Sequence, residues 1–540
     1  MKAFLMYPDG DFDPDQLLVR RERELHHNRG MRRVDTEKEL SLADVLPWNA
    51  VALRQDLGLD HVILAMANDE DAVLADVATV ALLTSLTDRA VLHYRQDVLA
   101  DSLQQREIVR AMYQIAVDAI MSERKNFWGS SFMRYPAGTL HRAVDVLEAF
   151  VGQLRMLRGI ADRSEGRFTS QGFTRLFSML RAELSDDYFA LIEAHLKRLK
   201  FRHGTLISAQ LGNGNQGIHY VLRRPHDDPR NWLMRLLGGK PPGFTYQLAP
   251  RDEAGAHALS RLNDQGVNLV ANALAQSTDH ILSFFQMLRT ELGFYVGCLN
   301  LRDRLGAIGE PICLPSPAPA RSRILSFSGL YDIALALSKG EKVVGNDLNG
   351  NRKDLVVITG ANTGGKSTFL RSVGQAQLMM QAGMFVPAQR FAVEVCTGVV
   401  THYKREEDAS MESGKWDEEL SRMSAIIDRL DPDAMILFNE SFASTNEREG
   451  SEIAGQIVHA LLARRVKVLF VTHLYHFARA FFCEDADHSA FLRAERRPDG
   501  TRPYKLVEGE PLETSYGEDL YKSIFLHARP PLNPETARTG

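Results

Sequence analysis

The sequence predicts a multidomain fold in which an all-α region carrying one small β-hairpin is followed by an α/β domain built on a phosphate-binding loop. Three observations carry this expectation. Apolar residues recur at helical spacing through most of the first 305 residues. Short apolar runs alternate with helical patterns from about residue 311, as in a parallel α/β sheet. Between them, 309–322 holds four prolines and reads as a domain boundary. The expected domains are therefore 1–90 (N-terminal helical region), 91–310 (helical core), 311–526 (α/β domain) and 527–540 (disordered tail). At 540 residues the chain exceeds the size at which one core stops growing.

Composition narrows the classes of function. With 44% apolar and 25% charged residues the chain is an ordinary folded protein, and a net charge of −5 gives no global electrostatic argument for nucleic acid. Any DNA contact must come from local patches. Cys298, Cys313, Cys396 and Cys483 lie far apart without zinc-finger spacing, which reads as a reducing compartment without a structural metal. The first residues lack an apolar signal core, and the run 77–86 is about half of a membrane span. The expectation is a cytoplasmic protein with no membrane partner.

In chain order, Arg20, Arg21, Arg23, Arg29, Arg32 and Arg33, interrupted by Glu22 and Glu24, form a basic run that reads either as a phosphate contact or as a solvated face. From 60 to about 124 several packed helices are expected, with Val73, Val77, Val80 and Leu83 on one stripe. A glycine- and proline-marked break around 129–138 precedes a helix over 140–158, with Val144, Leu147, Val151 and Leu154 on one face, and one or two more helices over 173–202. Lys197, Arg198, Lys200, Arg202 and His203 end that series; they fit a phosphate patch and equally the cations a helix C-terminus prefers. The stretch 205–223 places two β-type runs around Gly-Asn-Gly-Asn-Gln-Gly, a hairpin pattern. A long helical region returns over 254–305.

The α/β region is organised around 354–371. An apolar run, 355–358, enters a glycine-bounded turn that opens into a helix over 366–381, and Gly360, Gly365, Lys366 and Ser367 fill the spacing G-x-x-x-x-G-K-[ST]. Polyphosphate is recognised by backbone N–H groups that glycines let close over it, and by the positive end of the following helix. Gly360, Ala361, Asn362, Thr363, Gly364, Gly365, Lys366, Ser367 and Thr368 are thus the candidate ATP-binding set. Lys366 would reach the β- and γ-phosphates, and the Ser367 hydroxyl would take a position on Mg²⁺.

About seventy residues on, 434–440 is an apolar strand ending in Asn439 and Glu440, where such proteins place a Mg²⁺-organising acid and a water-activating base. Glu440 is the candidate base. Asn439 stands where aspartate is expected; it keeps an oxygen for a metal-bound water but loses the charge. A further strand, 466–471, leads to His473 at the carboxyl edge of the same sheet, where it reads either as structural or as a γ-phosphate sensor.

With these residues in hand, I-T-G-A-N-T-G-G-K-S-T-F-L-R followed by G-M-F-V-P-A resembles the MutS family of DNA mismatch repair ATPases, as do S-T-N-E-R-E-G, F-V-T-H and Ser515-Tyr516-Gly517. The likeness covers about 330–520. More weakly, Y-R-Q-D-V-L-A-D at 94–101 and the long helices are similar to that family's core and lever region. The resemblance implies an ABC-like ATPase domain, ATP and Mg²⁺ as ligands, a homodimer, DNA or protein partners, and a signature segment that completes the partner subunit's site. That segment corresponds to 411–423; the family's signature serine falls on Gly414, with Ser413 one position away as a candidate contact in trans. Against the family pattern, no mismatch-reading domain is expected before the helical core, little room for a long clamp, and a truncated C-terminal dimerisation segment.

Two functions follow as expectations. One is a dimeric ATPase that couples nucleotide state to DNA, in mismatch repair or recombination-type processing. The other is a nucleotide-gated scaffold for DNA or protein that hardly hydrolyses ATP because of Asn439. An SMC-like ATPase is disfavoured, because the arms have too few residues for extended coiled coils.

Overall fold

A computed structural model describes residues 1–9, 46–128, 136–201, 204–223, 247–249, 252–405, 414–484, 487–497 and 500–513. The first helices are α1 (Ala50–Asp56), α2 (Leu59–Met66), α3 (Ala72–Leu83), α4 (Arg89–Gln104), α5 (Arg106–Trp128), α6 (Pro136–Arg163), α7 (Gln171–Glu183) and α8 (Asp186–Leu199). The hairpin β1 (Leu206–Leu211) and β2 (Gly217–Arg223) follows, then α9 (Glu253–Ile308). Beyond it come β3 (Ser316–Ala318), β4 (Leu325–Leu330), α10 (Ile333–Lys339), β5 (Asn346–Asn349), β6 (Leu355–Gly360), α11 (Lys366–Gln381), β7 (Arg390–Glu394) and β8 (Val399–Tyr403). The last are α12 (Lys415–Ile427), β9 (Met435–Asn439), α13 (Glu447–Ala463), β10 (Lys467–Val471), α14 (Tyr475–Glu484), β11 (Ser489–Ala494) and β12 (Leu506–Glu508).

The chain divides into two compact units, the first of which is residues 1–3, 107–168 and 173–289. Its α6 starts at Pro136, which needs no N–H partner in the first turn, so the break read around 129–138 ends there; 129–135 lie outside the described residues. Leu140, Val144, Leu147, Val151 and Leu154 are all buried on one face of α6, as their spacing requires. Two helices, α7 and α8, account for the pattern over 173–202, and Phe168 packs on Phe173 and Phe177 with ring centroids 4.5 and 5.1 Å apart. The hairpin is antiparallel, with Asn213–Asn215 at its turn. It lies close enough to α9 that a Cβ on Gly266 would meet the Ile207 side chain at 2.4 Å, so a larger residue there would push Ile207 aside. Of the basic stretch after α8, Lys200 is paired with Glu148 at 2.7 Å, and Arg202 and His203 lie outside the described residues.

The second unit is residues 4–106, 169–172 and 290–540. Its main sheet runs β12-β11-β6-β10-β9-β8, with β11, β6, β10, β9 and β8 parallel and β12 an antiparallel edge. Strands β6 and β10 are buried at every position, the continuous apolar reading expected of parallel strands covered on both faces. A second, mixed sheet runs β3-β7-β4-β5, so the proline-rich 309–322 contributes a strand to this unit. The stretch Y-R-Q-D-V-L-A-D is α4 scaffolding. Tyr94 donates to Phe4 O, Arg95 Nε to Met6 O (3.0 Å) and Nη1 to Ala382 O (3.1 Å), and Gln96 to Pro315 O (3.1 Å). Asp101 accepts from the N–H groups of Thr169 and Ser170. Opposite Arg95, Glu291 accepts from Leu5 N (2.6 Å) and Met6 N (3.1 Å), and the Tyr295 hydroxyl donates to Leu5 O. A three-residue strap, Phe4 to Met6, is thus held through its backbone by buried polar side chains. Among the described residues no helix is long and apolar enough to cross a membrane.

The basic run of Arg20, Arg21, Arg23, Arg29, Arg32 and Arg33, Ser413, Ser515-Tyr516-Gly517 and the tail 527–540 lie outside the described residues.

Candidate nucleotide site

The site lies in the second unit, at the carboxyl ends of β6, β9 and β10. Strand β6 ends in Gly360 at φ 105°, and Gly365, at φ 91°, caps the start of α11. Both angles fall in the region that glycine enters without steric penalty. A Cβ on Gly360 would meet Ala494 N of the adjacent β11 at 2.8 Å, so sheet packing also excludes a side chain. Between them Asn362 and Thr363 are exposed, with Thr363 at φ 55°. Lys366, the first residue of α11, is 5% exposed and folds back so that Nζ donates to Gly360 O (2.9 Å) and Ala361 O (3.0 Å). Ser367 is exposed and Thr368 half-buried.

Register brings the other candidates to this point. Strand β10 pairs with β6 and β9 in parallel, so the residues just past each strand converge. The Ser367 hydroxyl donates to Asn439 Oδ1 at 2.8 Å, and His473 Nε2 is 3.3 Å from Glu440 Oε1. That hydrogen bond from His473 holds the Glu440 carboxyl below its usual range, with Lys366 and Lys404 acting in the same direction and burial opposing them. Burial brings the Lys366 ammonium down to about 8; Glu440 pulls it back up and Arg502 lowers it further. The arrangement is a cationic loop floor, a hydroxyl and an amide oxygen side by side, and an ionised carboxylate facing them.

The structure thus brings Gly360 to Thr368 together with Asn439, Glu440 and His473, and leaves Ser413 outside the described residues. It also adds groups with no local signal in the sequence. From the turn between β11 and β12, Arg502 donates to the Thr363 hydroxyl, and Tyr504 lies 3.5 Å from where a Gly365 Cβ would be. A cavity of about 390 Å³ opens beside the loop, lined by Tyr331, Asp332, Asn346, Thr368, Phe369 and Tyr504 among others. Behind Glu440, His402 of β8, Glu419 of α12 and Ser441 form a buried polar cluster. Arg502 stands 139 positions from Thr363, so no spacing pattern would have found it.

Two family models match the chain: the MutS2 N-terminal domain over residues 87–308 and MutS domain V over 356–527. The endonuclease MutS2 of Lactobacillus helveticus is 28% identical over 221 residues, 40% of this chain and 28% of that protein. The DNA mismatch repair protein MutS of a Thermotoga species (strain RQ2) is 33% identical over 175 residues, 32% of this chain and 22% of that protein. The MutS protein of Prochlorococcus marinus is 24% identical over 324 residues, 58% of this chain and 35% of its own length. Each alignment therefore takes in a minor part of the relative. Two models of one family matched in chain order, and identity to both MutS and MutS2 proteins, show that the chain belongs to the MutS family.

Proposed function

We propose that this protein binds and hydrolyses ATP at the site around Lys366 through an ABC-like P-loop domain. It would act as a homodimer with composite sites and couple nucleotide state to DNA in mismatch-repair or recombination-type processing. The observation that carries the reading is the convergence of a buried Lys366, the Ser367–Asn439 pair and the Glu440–His473 pair at three neighbouring strand ends. The glycines and the α11 N-terminus offer N–H groups to the phosphates, and Lys366 would exchange its two carbonyl partners for phosphate oxygens. The cavity beside the loop has room for the nucleoside part. Glu440, kept ionised by His473, would take a proton from an attacking water, and His473 would steady that carboxylate.

Mg²⁺ fits the donor set: Ser367 Oγ and Asn439 Oδ1 are hard oxygens 2.8 Å apart on the loop side of the sheet. Among the described residues no cluster of three acidic, histidine or cysteine side chains could hold a metal alone, so phosphate oxygens would complete its shell. When bound, the ion would neutralise charge on the phosphates.

The test is ATP binding and turnover by the wild-type protein, Lys366→Ala and Glu440→Gln, with and without duplex, mismatched and branched DNA. Lys366→Ala should lose at least about 100-fold in ATP affinity, and Glu440→Gln should bind ATP with turnover down about 100-fold or more. Unchanged affinity in the first, or full hydrolysis in the second, removes that residue's role. Turnover that no DNA alters would leave protein partners as the output. One observation favours the scaffold reading: the oxygen beside Ser367 belongs to the neutral Asn439. If that amide limits hydrolysis, Asn439→Asp should raise turnover about tenfold; no gain would discard the explanation.

A further inference from the structure

The turn that carries Glu440 is held from behind by side chains that the nucleotide would not touch. Glu440 and Phe442 both have left-handed backbone, at φ 56° and 64°, in a turn without glycine. L residues rarely adopt this conformation unless the surroundings fix it. Glu440 N donates to Val471 O at 2.8 Å. Phe442 N donates to Glu419 Oε1 at 2.6 Å, and Ser441 Oγ donates to His402 O at 2.6 Å while lying 2.8 Å from His402 Nδ1. His402 Nε2 lies 3.3 Å from Glu419 O and 3.4 Å from Arg422 Nη2, so the ring ties the turn to α12. The His402 ring is fully buried and lies nearly parallel to the Phe442 ring, with centroids 5.5 Å apart.

Glu419 is the unusual member. It is a carboxylate only 5% exposed, on the inner face of α12, and its second oxygen, Oε2, has no hydrogen-bond partner among the described residues. Arg422, one turn on, supplies the nearby opposite charge and is itself anchored to Tyr403 O at 2.7 Å. An incompletely satisfied buried carboxylate is expensive to keep. Among the described residues, the hydrogen bond its side chain accepts comes from the backbone two residues after the candidate base.

We propose that Glu419 and His402 are positioning residues that hold the 440–442 turn in its left-handed form and so aim the Glu440 carboxylate at the phosphate loop. The inference rests on the ATPase reading. Released, Phe442 N and the Ser441 hydroxyl would let the turn relax toward ordinary backbone, swinging Glu440 off its line while leaving Lys366 and the glycine loop in place. Binding should survive and the chemical step should not.

The experiment compares Glu419→Ala, which removes the acceptor, Glu419→Gln, which keeps an amide oxygen for Phe442 N, and Ser441→Ala, which cuts the other tether. Glu419→Ala and Ser441→Ala should bind ATP within about threefold of wild type and lose roughly 100-fold in single-turnover hydrolysis, the scale of an ångström-sized misplacement. Glu419→Gln should recover most of the rate. A readout independent of turnover is the nucleotide-free ¹³Cε1-histidine spectrum: the His473 resonance should move both in Glu440→Gln, which alters its 3.3 Å partner, and in Glu419→Ala. Wild-type rates and an unmoved His473 signal in Glu419→Ala would overturn the proposal. So would parallel loss of binding and hydrolysis, or failure of both Ala variants to fold, since either makes the cluster structural. Failure of the ATPase reading shows separately, as a wild type that binds no ATP or a Glu440→Gln that still hydrolyses it. A wild type that binds without turnover leaves the spectrum to decide.

Discussion

The phosphate loop and the Glu440 turn sit at neighbouring strand ends and both need left-handed backbone, yet they obtain it differently. The loop uses glycine where the angle is largest, φ 105° at Gly360 and 91° at Gly365, so its shape is written in its own eight residues. The turn uses Glu440 and Phe442 at 56° and 64°, and its shape depends on His402 and Glu419, 39 and 23 positions away from their partners. A locally encoded element tolerates change elsewhere and fails only when its own residues change. A remotely held one can be adjusted by whatever moves its supports.

That contrast can be broken or sharpened by experiment. The largest expected effect is Gly360→Ala, which puts a Cβ 2.8 Å from Ala494 N at φ 105°. Urea unfolding should show about 1–3 kcal/mol of lost stability, and equal stability would mean the loop shape is not set by glycine. Next is pH. Burial brings Lys366 down to about 8 in the free protein, so it is mostly charged at pH 7 and loses its proton as pH rises through 8. Polyphosphate favours the charged form, so ATP binding at pH 8.5 should take up protons, and affinity should fall by up to about tenfold per pH unit above the midpoint. Calorimetry in two buffers of different ionisation enthalpy checks this; buffer-independent heats would rule it out. The smallest effect is Arg502→Ala. Losing its bond to Thr363 should weaken ATP binding about 2–10-fold, the worth of a single hydrogen bond, and fluorescence titration would detect it.

What was legible in the sequence follows the same division. Spacing alone placed α11 at Lys366–Gln381, the strands ending at Asn439 and Val471, the hairpin, and the stripe of Val144, Leu147, Val151 and Leu154, because each depends on neighbours within a few turns. Arg502, Glu419 and His402 were illegible, because a single arginine, glutamate or histidine carries no pattern until the fold brings it to its partner. The packing of 4–106 within the same unit as the α/β sheet was hidden for the same reason. Its polar ties, Arg95 to Ala382 and Glu291 to Leu5, join residues nearly three hundred positions apart.

The strap at Leu5 and Met6 has a consequence for how the chain comes into being. Its acceptor, Glu291, lies 286 residues downstream of Leu5. At roughly 5–20 residues per second of synthesis, the strap waits about 15–60 s before its carboxylate exists, and longer for Ala382, the second anchor of Arg95. Through that interval two apolar residues, buried in the finished protein, lack the carboxylate that ties down their amides. They would be a natural foothold for a chaperone. Refolding followed by pulsed hydrogen exchange should show the Leu5 and Met6 amides among the last to gain protection, and early protection would show that the strap finds another shelter first.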